Sequence, residues 1–128
     1  MKKEEKIKND NFLDSLTNAC EGINYSIKTQ ISIKIQLAVT LIVLILSIYF
    51  KLTKVEFLFI ISAIFMVIVA ETINTAIETT VDLVTTKYHP KAKIAKDVAA
   101  GAVLISAIYA IVVGVIVFYD KFIQILNI

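Results

Sequence analysis

One cysteine and one histidine, Cys20 and His89, are all the thiol and imidazole the chain carries. A single cysteine excludes an internal disulfide, and the lone histidine leaves no ligand cluster for a structural zinc. Glycine is nearly as scarce, with only Gly22, Gly101 and Gly114. Neither a Walker P-loop nor a protein-kinase glycine loop can be built from glycines so placed, so a nucleotide would have to be held by other means. Charge of one sign is lacking too: a net +2 over 128 residues is too small to suggest a nucleic-acid partner. Apolar residues fill the chain instead, at 58% of the composition and a mean hydropathy of +0.80. Those values lie far outside the soluble norm and describe a membrane protein.

The pattern along the chain predicts one all-α integral membrane domain over residues 1–128. Residues 1–11, with mixed charges and no apolar run of signal-peptide form behind them, read as a solvated leader that stays on the chain. Over 12–31, Phe12, Leu16, Cys20, Ile23, Ile27 and Ile31 recur at spacings of three and four, which predicts an amphipathic helix. Such a helix can lie on a membrane surface, pack on protein, or do both. Three apolar segments follow, 33–50, 55–84 and 98–119, each long enough to cross a hydrocarbon core of about 30 Å. The short "KLTK" between the first two forces them antiparallel. Lysines concentrate before the first span and between the second and third, which puts the N-terminus and the second connection in the cytoplasm.

The second span ends in "AETINTAIETTVDLV", where an apolar helix acquires Glu71, Asn74, Glu78 and Asp82. At 100° per residue these four fall within about 60° of Glu71 and share one stripe. Counting from Val55, the stripe begins just inside the cytoplasmic boundary of the hydrocarbon core and climbs out of it. Three uses are open to it. The acids can pair with Lys87, Lys93 or Lys96 to hold helices together; they can form part of a proton or cation path, although no acid in the other spans continues one; or they can act on a lipid headgroup. For the last, a buried Glu71 suits a base toward a lipid hydroxyl, and Glu78 and Asp82 suit a divalent cation.

The following "TTKYHPKAKIAKD" adds cations at the same face. Proline after His89 predicts that Lys87, Tyr88 and His89 lie in a loop, with Lys96 and Asp97 opening the third span. Acids and lysines gathered at one boundary are the inventory of phosphoryl transfer, which needs positioning and charge neutralisation. In the third span Ala102, Ser106, Ala110 and Gly114 form a small-residue ladder that permits close helix approach, within one chain or between chains.

The segment "ETINTAIETTVDLVTTKYHPKAKIAKDVAAGAVL", Glu71 to Leu104, closely resembles the signature of the bacterial diacylglycerol kinase family, and its "YHPKAKIAKDVAAGAVL" portion looks like the Gram-positive undecaprenol kinase branch. The resemblance implies a homotrimeric kinase of the bacterial cell membrane that transfers the γ-phosphate of ATP to a lipid alcohol at the cytoplasmic face. By the same resemblance Glu71 is the catalytic base, Asn74 a polar residue that orients it, and Glu78 a ligand of the Mg²⁺ that accompanies ATP. Lys87, Tyr88, His89, Lys96 and Asp97 match nucleotide-contacting positions. The chain departs from the family at "KTQISIK", where Gln30 replaces a Glu that shares the metal. Undecaprenol is the expected substrate and diacylglycerol the alternative. A family member weakened by the loss of that Glu, kept as an interaction subunit, is the reading from a different class.

Overall fold

The structure, a computed structural model, describes residues 11–127. The leader expected over 1–11 lies almost wholly outside the described residues. Four helices follow one another without a strand among the described residues: α1 (Phe12–Thr29), α2 (Ile31–Tyr49), α3 (Lys54–Val84) and α4 (Pro90–Leu126).

Helix α1 starts where Asn11 can cap it. The Asn11 side chain accepts from the Asp14 backbone N–H at 2.9 Å, and Asp14 in the first turn and Lys28 in the last both complement the helix dipole. Only Ser26 of this helix is buried, while Phe12, Leu16 and Ile23 are exposed. Their apolar face is therefore left for lipid or another chain. At Gln30 the backbone turns extended, φ −104° and ψ 117°, so one residue closes α1 and opens α2.

Helices α2, α3 and α4 are each long and apolar enough to cross a membrane. Helix α2, with 19 residues, rises about 28 Å and matches the hydrocarbon core. Helix α3, with 31 residues, rises about 46 Å and must project beyond it. Its apolar N-terminal part is the stretch suited to the core, which would leave the end carrying Glu78 and Asp82 to project. The 37-residue α4 begins at Pro90, well before the apolar stretch 98–119, so Lys96 and Asp97 sit inside the helix and do not open it. Proline is well suited to the first helical position, where its missing N–H would lack a partner anyway. His89 caps this helix, its Nδ1 accepting from the Lys91 backbone N–H at 3.2 Å.

The turn between α2 and α3 is a Schellman closure with an unusual residue in it. The Lys51 N–H donates to the Ile48 carbonyl and the Leu52 N–H to the Ser47 carbonyl, both at 3.1 Å. This geometry puts Lys51 at φ 50°, a region that normally calls for glycine. Left-handed backbone costs an L-residue about 1–2 kcal/mol, and glycine gives back part of that through unfolded-state entropy. Lys51→Gly should therefore raise stability by about 0.5–1 kcal/mol in reversible unfolding in detergent micelles. A drop in stability would mean that the lysine side chain contributes more than its backbone costs.

Immediately afterwards Thr53 and Glu56 form a capping box: Glu56 N–H to Thr53 Oγ1 at 3.3 Å and Thr53 N–H to Glu56 Oε2 at 2.8 Å. The other carboxylate oxygen of Glu56 pairs with Lys121 Nζ of α4 at 3.2 Å. An isolated acid at the apolar end of α3 thus has two uses, starting α3 and tying it to α4. Beside it Phe50 meets Phe122 edge-on at 5.2 Å and Phe118 at 6.0 Å. The buried core runs on from these rings through Ile60, Ala63, Val113 and Val117, joining α3 to α4. Helix α2 leans less closely on this pair and leaves an apolar groove of about 340 Å³, lined by Gln36, Thr40, Ile64, Ala110 and Gly114 among others.

Candidate active site

Helix periodicity places Glu71, Asn74 and Glu78 on one face of α3, and the first two are buried in the fold. Glu71 is 5% exposed and Asn74 9%, whereas Glu78 is half-buried and Asp82 exposed. Counting 17 residues from Lys54, Glu71 sits about 25 Å along the helix, short of a core about 30 Å thick. Glu78 lies about one and a half core radii beyond the midplane, outside the hydrocarbon, by the same count.

The buried carboxylate has a partner that the sequence does not announce. Ser32 Oγ, in the first turn of α2, donates to Glu71 Oε2 at 3.0 Å. One turn further along α3, Asn74 Nδ2 donates to Glu78 Oε1 at 3.0 Å. That bond leaves Asn74 Oδ1 buried with no hydrogen-bond partner. A buried amide oxygen without a donor is costly unless a cation, water or substrate group completes it. Thr75, also buried, is satisfied within the helix, donating to the Glu71 carbonyl at 2.9 Å.

Beyond this cluster the end of α3 and the start of α4 enclose a cleft of about 270 Å³. Asp82, Lys87, Tyr88, His89, Lys96 and Asp97 are among the residues that line it. Lys87, Tyr88 and His89 occupy the connection between the helices, with Lys87 N–H donating to Thr85 Oγ1 at 3.2 Å. Lys96 Nζ reaches across to Asp82 Oδ1 at 2.6 Å, and Lys93 pairs with Asp97 along α4. The acids of the stripe therefore divide. Asp82 does join two helices, as the simplest reading of the sequence has it, while Glu71 and Glu78 bond to neutral side chains. Ion pairs as exposed as these contribute about 0–1 kcal/mol each, too little to explain so dense a cluster by stability. His89 has a structural duty as the α4 cap, which the sequence reading missed, and it still lines the cleft.

Gln30 falls at the α1–α2 break, where its side chain caps neither helix. Two residues later Ser32 makes the contact with α3. Ser32 was legible only as one member of a polar series on α2, Ser32, Gln36 and Thr40 at four-residue spacing in an otherwise apolar span. That series marks a helix face, but it does not say which acid the face meets.

Among the described residues no three of the His, Cys, Asp and Glu side chains converge to cage a metal. A hard cation at this site would take protein oxygens from Glu78 and the unpartnered Asn74 Oδ1, with phosphate and water completing its shell. That division of ligands suits Mg²⁺, which keeps waters and is usually bound through one or two carboxylates plus substrate phosphates. The residues present therefore fit the ion.

Comparison with known proteins identifies the family. Residues 17–118 match the family model described as prokaryotic diacylglycerol kinase. The undecaprenol kinase of Bacillus subtilis is 38% identical over 110 residues, covering 86% of this chain and 89% of that protein. A diacylglycerol kinase of Synechocystis is 38% identical over 105 residues, or 81% of this chain and 60% of its own length. The diacylglycerol kinase of Haemophilus influenzae is 28% identical over 109 residues, covering 84% of this chain and 92% of its own. With its three apolar helices and a family match over most of its length, the chain is an integral membrane protein of the prokaryotic diacylglycerol kinase family.

Proposed function

We propose that this protein is a lipid kinase that transfers the γ-phosphate of ATP to undecaprenol at the cytoplasmic face of the bacterial cell membrane. The observation that carries the reading is a buried carboxylate, Glu71, held by Ser32, with a lysine-rich cleft further along the same helix; the helix length would bring that carboxylate close to the membrane boundary. In the reaction the lipid hydroxyl oxygen forms a bond to the γ-phosphorus, and the bond from that phosphorus to the β,γ-bridging oxygen breaks. ADP departs with the bridging oxygen, and Glu71 takes the hydroxyl proton. Asn74 and Glu78, joined to each other, keep the polar face of α3 in register with Glu71. Lys87, Lys96 and the cleft around Tyr88, His89 and Asp97 attract and orient the polyphosphate. Mg²⁺, held by Glu78, Asn74 and, by family position, Gln30, would neutralise charge on the phosphate oxygens.

Undecaprenol is favoured because the Bacillus relative named for that activity aligns along nearly the full length of both chains. The cytoplasmic assignment rests on Lys2, Lys3, Lys6, Lys8, Lys28 and Lys34 ahead of the first apolar stretch and on Lys87, Lys91, Lys93 and Lys96 between the second and third, against only Lys51 and Lys54 at the opposite turn. We also infer a homotrimer, as the family resemblance implies. A side chain added at Gly114 would meet nothing within 4 Å in this chain, so the smallness of that position is not used by its own packing. Close approach by a neighbouring protomer's helix would use it.

Purified protein in lipid vesicles, given ATP and Mg²⁺, should phosphorylate undecaprenol in preference to diacylglycerol. Preference for diacylglycerol would reassign the substrate, and inactivity toward both would favour an interaction subunit. Mixing inactive Glu71→Gln and Lys96→Ala subunits tests assembly in the same assay. Recovered activity means sites shared between chains, and none means that each chain is self-contained.

A further inference from the structure

Serine and threonine hydroxyls inside helices normally bond back to a carbonyl of the preceding turn. In this chain Thr29, Ser47, Thr72, Thr75, Thr79 and Thr80 all do so, each to the residue four positions earlier. Ser32 does not. Its hydroxyl spans 39 positions of sequence to the carboxylate of Glu71. The break at Gln30 explains the difference: the extended residue takes the carbonyls of α1 out of line with α2, so Ser32 has no helical acceptor behind it.

We propose that Ser32 is a positioning residue for Glu71. Its hydroxyl holds Oε2, and among the described residues no hydrogen bond engages Oε1. One carboxylate oxygen is thereby anchored and the other is left to meet the acceptor hydroxyl. A glutamate side chain has three rotatable bonds, and Glu71 is attached to its own helix only through its backbone. Without the anchor the carboxylate can turn away from the acceptor while the rest of the site stays assembled. The contact also joins the start of α2 to α3 at the depth of the reaction. The inference rests on Glu71 being the base.

A set of variants in lipid vesicles separates this role from simple packing. Ser32→Ala should lower kcat by about 10- to 100-fold, the scale of a misplaced reacting group, with KM for ATP and for lipid essentially unchanged. Ser32→Thr and Ser32→Val have the same shape, with and without the hydroxyl. Thr should restore most of kcat and Val should not. This pair decides the matter even if the Ala variant fails to fold. Equal activity in Thr and Val, or a loss expressed in KM, would overturn the proposal. Glu71→Gln, assayed alongside, keeps the two claims apart. If it is inactive while Ser32→Val is fully active, only the positioning role falls; if it is active, the base assignment falls first.

Discussion

Glu71→Gln should abolish lipid phosphorylation and leave ATP binding intact. The substitution preserves shape at a site that is 5% exposed, and the amide oxygen of glutamine can still accept from Ser32, so the helices keep their packing. The amide has no useful basicity toward a hydroxyl, and the proton then has no destination. General-base assistance contributes about 10²- to 10⁴-fold, so the loss in kcat should be at least about 100-fold, or close to 3 kcal/mol in the barrier. Equilibrium binding of ATP should be unaltered, because the lysine-rich cleft begins at Val81, about 15 Å further along α3. Turnover close to that of the unaltered protein would mean that the base lies elsewhere. Loss of ATP binding together with activity would mean that Glu71 holds the nucleotide site open and has no part in the proton transfer.

The Mg²⁺ requirement should move in opposite directions in two variants. Glu78 brings a charged oxygen to the metal position, and its Oε1 is fixed by Asn74 at 3.0 Å. Glu78→Gln removes that charge, and even outer partners of a metal site are worth about 10- to 100-fold in metal affinity. The Mg²⁺ concentration for half-maximal activity should rise at least about 10-fold, with lipid affinity unchanged. Gln30→Glu supplies the carboxylate that the family resemblance leads one to expect at that position, and it should lower the requirement, chiefly through apparent affinity for ATP with Mg²⁺. A Mg²⁺ titration of the three proteins at fixed ATP reads both effects. Coincident curves for Glu78→Gln and the unaltered protein would remove Glu78 from the metal. Coincident curves for Gln30→Glu would mean that Gln30 stands too far from the ion for its charge to matter.

What the sequence determined by itself is what lies within one helix or follows from length. The apolar runs predict three crossings, because about 20 residues of helix match the hydrocarbon thickness. The stripe of Glu71, Asn74, Glu78 and Asp82 is visible because helical rotation is the same in every α-helix. Pro90 marks the loop over Lys87, Tyr88 and His89, but α4 already starts at Pro90 and not at 98, because a helix can run through the lysine-rich residues 90–97 before its apolar stretch begins. The partners were decided by tertiary structure. Glu71 with Ser32, Asp82 with Lys96 and Glu56 with Lys121 each join different helices, and each depends on how those helices are rotated and slid against one another. That register is set by the side chains that interlock between α3 and α4, such as Ile60, Ala63, Val113 and Val117, and by the turns at Gln30 and Lys51. Apolar residues look alike in a sequence, and only their shapes in contact select one rotation. An acid at a membrane boundary is therefore legible as a functional group from the sequence, while the hydroxyl that aims it becomes visible only once the helices are packed.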